Sequence, residues 1–319
     1  MVTVLGIQNA KKWSWSFVLR RMIQELPEYK FATILGRPKE KIDIGLVDFF
    51  NITLVQNVST TKLDGNKQKI ILRMGGLRIS DQNSSTRFND DLAEVGAVIA
   101  TNGKLFEMGK RVNDNTFLIP NGVDLQLFKP RSQRQQPFND NNGKPFVVGF
   151  VGNIDDQGRK YKGWDYYVQA TLRLYPGIKT KHALFGREQI LHDEMPKKFY
   201  HQIDCLVLPS VNEGCSNTVV EALACGVPVL ITKVGFHGER LENGVNCLFV
   251  KMDIDDIITK IQFLAKTPEL RMKLAFNGRI FAETNHNINM LAIEYHNVFQ
   301  SVLSNLENRK VNRKENHGS

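Results

Sequence analysis

The sequence predicts an α/β protein of two domains, each a parallel sheet covered by helices on both faces. Three observations carry that reading. The chain has 319 residues, more than one ordinary domain needs and suited to two of roughly 120 to 190 residues. Short apolar runs rich in Val, Ile, Leu and Phe alternate with amphipathic segments, the rhythm of strand–helix–strand units with doubly covered strands. Near the middle a polar Gln/Asn/Pro-rich stretch breaks that rhythm, after which it starts again.

In chain order, the first half predicts strands at "VTVLGI" (2–7), "FATIL" (31–35), "ITLVQ" (52–56), "IILRM" (70–74), "AVIAT" (97–101) and "TFLIP" (116–120). Between the first two, Trp15, Val18, Leu19, Met22, Ile23 and Leu26 form a stripe at helical spacing and read as core. Trp13 and Phe17 lie on another face beside Lys11, Lys12, Arg20 and Arg21. That basic–aromatic face suits a membrane interface, nucleic acid bases or partial packing. The segment 119–150 holds an Asn-Gly turn and then a linker-like composition, with a new strand from Pro145. The predicted division is therefore 1–128, a linker 129–145, a second domain 146–308 and a basic tail 309–319 expected to be disordered. Second-half strands are predicted at "FVVGFVG" (146–152), "KHALFG" (181–186), "DCLVLP" (204–209), "PVLIT" (228–232) and "CLFV" (247–250). Residues 253–307 read as helices throughout, one of them starting at Pro268.

A hydrophobic fraction of 42% and a charged fraction of 24% point to a globular protein. No apolar run approaches the ~18 residues that span a bilayer, and "MVTVLGIQNAKKW" does not read as a signal peptide. Cys205, Cys215, Cys225 and Cys247 form no C-x-x-C pair. They predict buried thiols in a reducing compartment and no zinc site. The Asp90-Asp91, Asp155-Asp156 and Asp255-Asp256 doublets read as polar loops and helix starts, so no metal is expected. The net charge of +9 fits anionic partners such as phosphates, nucleic acid or lipid headgroups. The expected location is cytoplasmic, with peripheral contact to an anionic membrane surface left open.

Two open α/β domains predict a cleft between them, with ligands bound at the carboxyl ends of the strands. "NEGCSNTVVEALACGVPVL" (212–230) fits such a place. A buried strand at 204–210 leads into a loop, Ser216 is a good N-cap, and Gly226 with Pro228 stops the helix. The helix start offers free N–H groups and partial positive charge, a seat for phosphate. Glu213 and Glu221 bracket it. Carboxylates only accept hydrogen bonds, so the pair suggests a ligand with phosphates flanked by hydroxyls, a nucleotide sugar. An ordinary first-turn acid and a loop acid give the same spacing, and both readings stand on spacing alone.

The stretch "EGCSNTVVEALACGVPVLITKVGFHGERLENGVNCLFV" resembles the Glu-x7-Glu motif of the retaining family-4 glycosyltransferases. "AVIATNGKLFEMG…TFLIPNGVDLQLFKP", "FVVGFVGN…KGWDYYVQA" and "DEMPKKFYHQIDCLVLPS" resemble other parts of that family in matching order, over residues 96 to about 250. The resemblance implies a GT-B fold, two Rossmann-like domains facing a central cleft. It implies metal-independent, retaining transfer of a hexose from a nucleotide-diphosphate sugar, a substrate rather than a cofactor. Glu213 and Lys162 would be catalytic. Gly152, Asn153, Arg159, Lys162, Cys215, Ser216, Asn217, Thr218, Val219 and Glu221 would bind the donor, with Glu221 on the ribose. His237 would either touch the donor or be a plain loop residue.

Two departures stand out. The arginine the family carries after Gly152 is Asn153 here, and Arg159 or Lys160 in a longer loop is the expected substitute. The family's first-domain histidine is missing, since the earliest histidine is His182. The expected acceptor side is Lys11, Lys12, Trp13, Arg73, Gly75, Gly76 and Arg78. The acceptor is expected to be a saccharide or lipid-linked saccharide. A modified DNA base, or a non-catalytic nucleotide-sugar binder, are the alternatives.

Overall fold

The computed structural model describes residues 2–8, 24–35, 52–56, 65–75, 85–131, 145–154, 156–174, 176–185 and 190–316. The chain forms two compact units, Met1–Pro120 with Ile288–Ser319, and Asn121–Asn287.

The first unit holds a six-stranded parallel sheet of β1 (Val2–Gln8), β2 (Tyr29–Leu35), β3 (Ile52–Gln56), β4 (Ile70–Met74), β5 (Ala97–Ala100) and β6 (Thr116–Leu118), in the order β2-β1-β3-β4-β5-β6. Alternation along each strand sorts its side chains. Val4, Ile52, Leu54, Ile71, Ala97 and Ile99 pack in one cluster, and Leu5, Val55, Ile70, Leu72, Val98 and Ala100 in another. Helices α1 (Ser85–Glu94) and α2 (Gly103–Lys110) add Leu92 and Leu105 to the second cluster. The first cluster is closed by the C-terminal helix Ile288–Asn316, through Leu291, Tyr295, Val298, Phe299 and Val302.

Three sequence expectations are corrected. Residues 288–308 were assigned to the second domain and pack instead on the first sheet, and the first unit ends at Pro120 rather than near 128. An apolar stripe at 3.6-residue spacing tells a helix which face to bury but not against which sheet. The tail expected to be disordered is helical to Asn316; residues 308–316 contain no Gly or Pro to stop the helix.

The second unit holds a five-stranded parallel sheet of β7 (Phe146–Asn153), β8 (Ile178–Phe185), β9 (Cys205–Leu208), β10 (Val229–Ile231) and β11 (Leu248–Phe249), in the order β11-β10-β9-β7-β8. Its helices are α3 (Asp156–Tyr161), α4 (Trp164–Leu172), α5 (Met195–Lys198), α6 (Asn217–Ala224), α7 (Gly235–Arg240), α8 (Ile254–Lys266) and α9 (Pro268–Asn285). One cluster of buried side chains, from Phe128 and Phe146 to Leu274 and Ala282, forms its core. All eleven predicted strands are present. Residues 132–144 of the predicted linker lie outside the described residues.

Candidate functional site

The carboxyl ends of β7, β9 and β10 converge in the second unit, where Thr232 Oγ1 donates to the carbonyl of Ser210 at 2.5 Å. Two backbone contacts bring Lys162 to the end of β9. Gly163 has φ +68°, and a Cβ there would lie 1.9 Å from the carbonyl oxygen of Pro209. The N–H of Val211 donates to the carbonyl of Tyr161 at 2.8 Å. Only glycine allows this left-handed backbone and this approach. The result is an ion pair between residues 51 apart in sequence: Lys162 Nζ donates to Glu213 Oε1 at 2.5 Å, and Ser210 Oγ donates to the same oxygen at 2.7 Å. The side chains of Lys162 and Glu213 are 27% and 14% exposed. Gly152 lies beside the Lys162 stem, and a Cβ there would sit 3.5 Å from Lys162 Cγ.

The loop carrying Glu213 is held from the other side by Gly235. Its φ is +61°, and a Cβ would meet the carbonyls of Glu213 and Gly214 at 2.5 and 2.6 Å. The Phe236 N–H donates to the Gly214 carbonyl at 2.8 Å. Helix α6 then begins. Ser216 is its N-cap residue as the sequence predicts, but its side chain makes no cap hydrogen bond, and its buried Oγ has no hydrogen-bond partner. The first-turn N–H groups of Asn217, Thr218 and Val219 have no carbonyl one turn earlier within the helix. At the other end Gly226 (φ +66°) donates to Leu223 and Val227 to Ala222, both at 2.9 Å. These are the two bonds of a Schellman stop.

Glu221, one turn inside α6, is 7% exposed. Its Oε1 accepts from His192 Nε2 at 2.9 Å and its Oε2 from the Tyr200 hydroxyl at 2.7 Å. Burial works against a charged His192. The Glu221 carboxylate, by charge and by hydrogen bond, and Asp193 outweigh it and raise the imidazole above its ordinary 6.5. Burial and the same carboxylate push Tyr200 well above its ordinary value. The sequence reading missed His192 and Tyr200. They lie 29 and 21 residues before Glu221, and no spacing rule links them to it.

Other expected site residues are placed as follows. Arg159 pairs with Asp165 at an exposed position, and Lys160 is exposed. Asn153 ends β7. Cys215 and Val219 are buried, and the Thr218 carbonyl lies 3.4 Å from the Tyr200 hydroxyl. His237 lies in α7 and is 2% exposed. Arg73, expected on the acceptor side, is 2% exposed, and its Nε donates to the Tyr295 hydroxyl at 2.8 Å. It faces the C-terminal helix because alternate β4 residues point that way. Gly75 is half-buried after β4. Lys11, Lys12, Trp13, Gly76 and Arg78 lie outside the described residues, as does Asp155.

Residues 177–281, which include both glutamates, match the family model "Glycosyl transferases group 1". The chain is similar to the group 1 glycosyl transferases over that stretch. It is 27% identical over 213 residues to the capsular polysaccharide biosynthesis glycosyltransferase CapM of Staphylococcus aureus, covering 59% of this chain and 55% of CapM. It is 25% identical over 245 residues to the lipopolysaccharide core biosynthesis mannosyltransferase LpsB of Rhizobium meliloti, covering 66% of this chain and 67% of LpsB. These matches span about half to two thirds of each relative. Among solved structures, Anabaena Alr3699/HepE in complex with UDP and glucose aligns with a TM-score of 0.70 at 16% identity, over 94% of this chain and 100% of that one. Sucrose-phosphate synthase from Thermosynechococcus elongatus aligns at 0.76 and 15% identity, over 95% and 100%. The fold of this chain is thus of GT-B type.

Proposed function

We propose that the chain is a glycosyltransferase that takes a sugar from a nucleotide-diphosphate donor held by its second unit. The observation that carries the reading is the Lys162–Glu213 pair at the mouth of α6. A cation, a hydroxyl-binding acid and the N–H groups of a helix start meet there, the set that a sugar diphosphate needs. In this reading the diphosphate draws Lys162 Nζ from Glu213, and Glu213 turns to the sugar hydroxyls. Lys162 and the α6 N–H groups then stabilise the charge that grows on the leaving diphosphate. Glu221 accepts from the ribose hydroxyls. Transfer proceeds with retention by front-face attack, with the departing phosphate oxygen taking the acceptor proton. HepE in complex with UDP and glucose, and the polysaccharide and lipopolysaccharide glycosyltransferases CapM and LpsB, support a UDP-type donor and a saccharide acceptor.

The test is nucleoside diphosphate release from a panel of UDP-, GDP- and ADP-sugars with oligosaccharide and lipid-linked acceptors. One donor should release its diphosphate in a manner abolished by Glu213→Ala, and NMR of the product should show the donor's anomeric configuration. Absence of binding of every nucleoside diphosphate by the folded chain would overturn the reading.

A further inference from the structure

Behind the loop that presents Glu213, the fold gathers three side chains that the sequence spacing did not link. Cys215 Sγ and one ring nitrogen each of His237 and His286 all lie within 4.8 Å of one another. The residues are 5%, 2% and 0% exposed. They come from the loop before α6, the first turn of α7 and the residue after α9.

The surroundings of this trio suit coordination better than packing. His286 Nδ1 lies 2.7 Å from the Asn121 carbonyl, which can only accept, so Nδ1 carries the proton and Nε2 presents its lone pair. That Nε2 is buried with no hydrogen-bond partner, and so is His237 Nε2. Each of these imidazole nitrogens, buried without a hydrogen-bond partner, is costly in an apolar interior. The same Asn121 donates its backbone N–H to Cys215 Sγ at 3.4 Å, and its Nδ2 to the Cys215 carbonyl at 2.5 Å. One residue thus orients two of the three candidate ligands, as the outer partners of metal sites do.

We propose that Cys215, His237 and His286 bind one borderline-soft divalent transition metal ion of the Zn2+ class. A thiolate with two imidazoles is a donor set that such ions favour. Binding releases the Cys215 thiol proton to solvent and leaves the ion's oxidation state unchanged. Bond lengths of about 2.0 to 2.3 Å place tetrahedral ligands about 3.3 to 3.6 Å apart, so the trio closes by at most about 1.5 Å on binding. The ion would tie the Glu213 loop to α7 and to the segment that leaves α9. The inference stands apart from the proposed transfer reaction.

The experiment uses the full chain, stripped with a chelator and titrated with Co2+ and then Zn2+. One equivalent of Co2+ should give a thiolate-to-cobalt charge-transfer band, Zn2+ should displace it, and bound Zn2+ should raise the melting temperature. Cys215→Ser should abolish the band, while Cys225→Ser should keep it. If Cys215→Ser does not fold, as read by circular dichroism, His237→Gln takes its place, with metal affinity expected to fall about 100-fold or more. No charge-transfer band in the wild-type chain, or a band that survives these substitutions in folded protein, overturns the proposal.

Discussion

Lys162 and Glu213 should act on diphosphate affinity with opposite signs. Lys162 Nζ is 2.5 Å from Glu213 Oε1, and an incoming diphosphate would compete with that carboxylate for the same cation. Lys162→Met keeps the apolar stem beside Gly152 and removes the charge. A charge-assisted hydrogen bond to phosphate contributes about 1.5–3 kcal/mol, so UDP should bind about 10- to 150-fold more weakly. Glu213→Gln removes the competitor. The pair is only partly buried, at 27% and 14% side-chain exposure, which discounts it to about 1 kcal/mol. UDP should then bind up to about fivefold more tightly, while sugar transfer is lost. Calorimetric titration with UDP near physiological salt reads both, with uridine as the control that Lys162→Met should leave unchanged. If Glu213→Gln weakens UDP binding as much as Lys162→Met does, or if uridine weakens in parallel, Lys162 is not the diphosphate ligand.

Three further outcomes are expected. Tyr200→Phe leaves Oε2 of the buried Glu221 without its 2.7 Å donor, and should cost about 1–3 kcal/mol of stability in denaturant titration. His192 is raised in the folded state, so its contribution is fully present below its ordinary value of 6.5 and is lost as pH rises through the folded value; the melting-temperature gap between wild type and His192→Gln should therefore narrow from pH 6 to pH 8. Gly163→Ala forces a Cβ to 1.9 Å from the Pro209 carbonyl at φ +68°, and should cost more than about 2 kcal/mol while weakening UDP binding through the displaced Lys162.

The strands could be read from the sequence because their signal is local. Apolar runs bounded by turns gave all eleven, and the Gly226 stop of α6 followed from one residue type at one position. What the sequence did not show are pairings across the fold. The stripe Leu291, Tyr295, Val298, Phe299, Val302 announces a helix but not its partner sheet, so its place on the first unit was missed. Arg73 at a strand end looked available for a ligand, yet strand alternation turns it to Tyr295. Lys162 was singled out only through family resemblance, and its pairing with Glu213 was not foreseen. His192 and Tyr200 on Glu221, and the Cys215–His237–His286 cluster, depend on loop paths that no spacing encodes.

Similar as they look in sequence, Glu213 and Glu221 stand in different electrical settings. Glu213 faces a cation and a hydroxyl at a partly open site, so its hydrogen bonds can be exchanged when a stronger anion arrives. Glu221 is 7% exposed and faces Tyr200 and His192, each of which it anchors. A carboxylate offers about four acceptor positions. With one used on each oxygen, Glu221 keeps about two, the number that a vicinal diol fills. Under the proposed function, that makes Glu221 a preorganised acceptor whose geometry is set before the ribose arrives, and Glu213 a group whose partner changes during the reaction. Loss of Tyr200 should therefore weaken uridine and UDP equally, whereas loss of Lys162 should separate them; a mutant cycle that found the reverse would exchange the roles of the two acids.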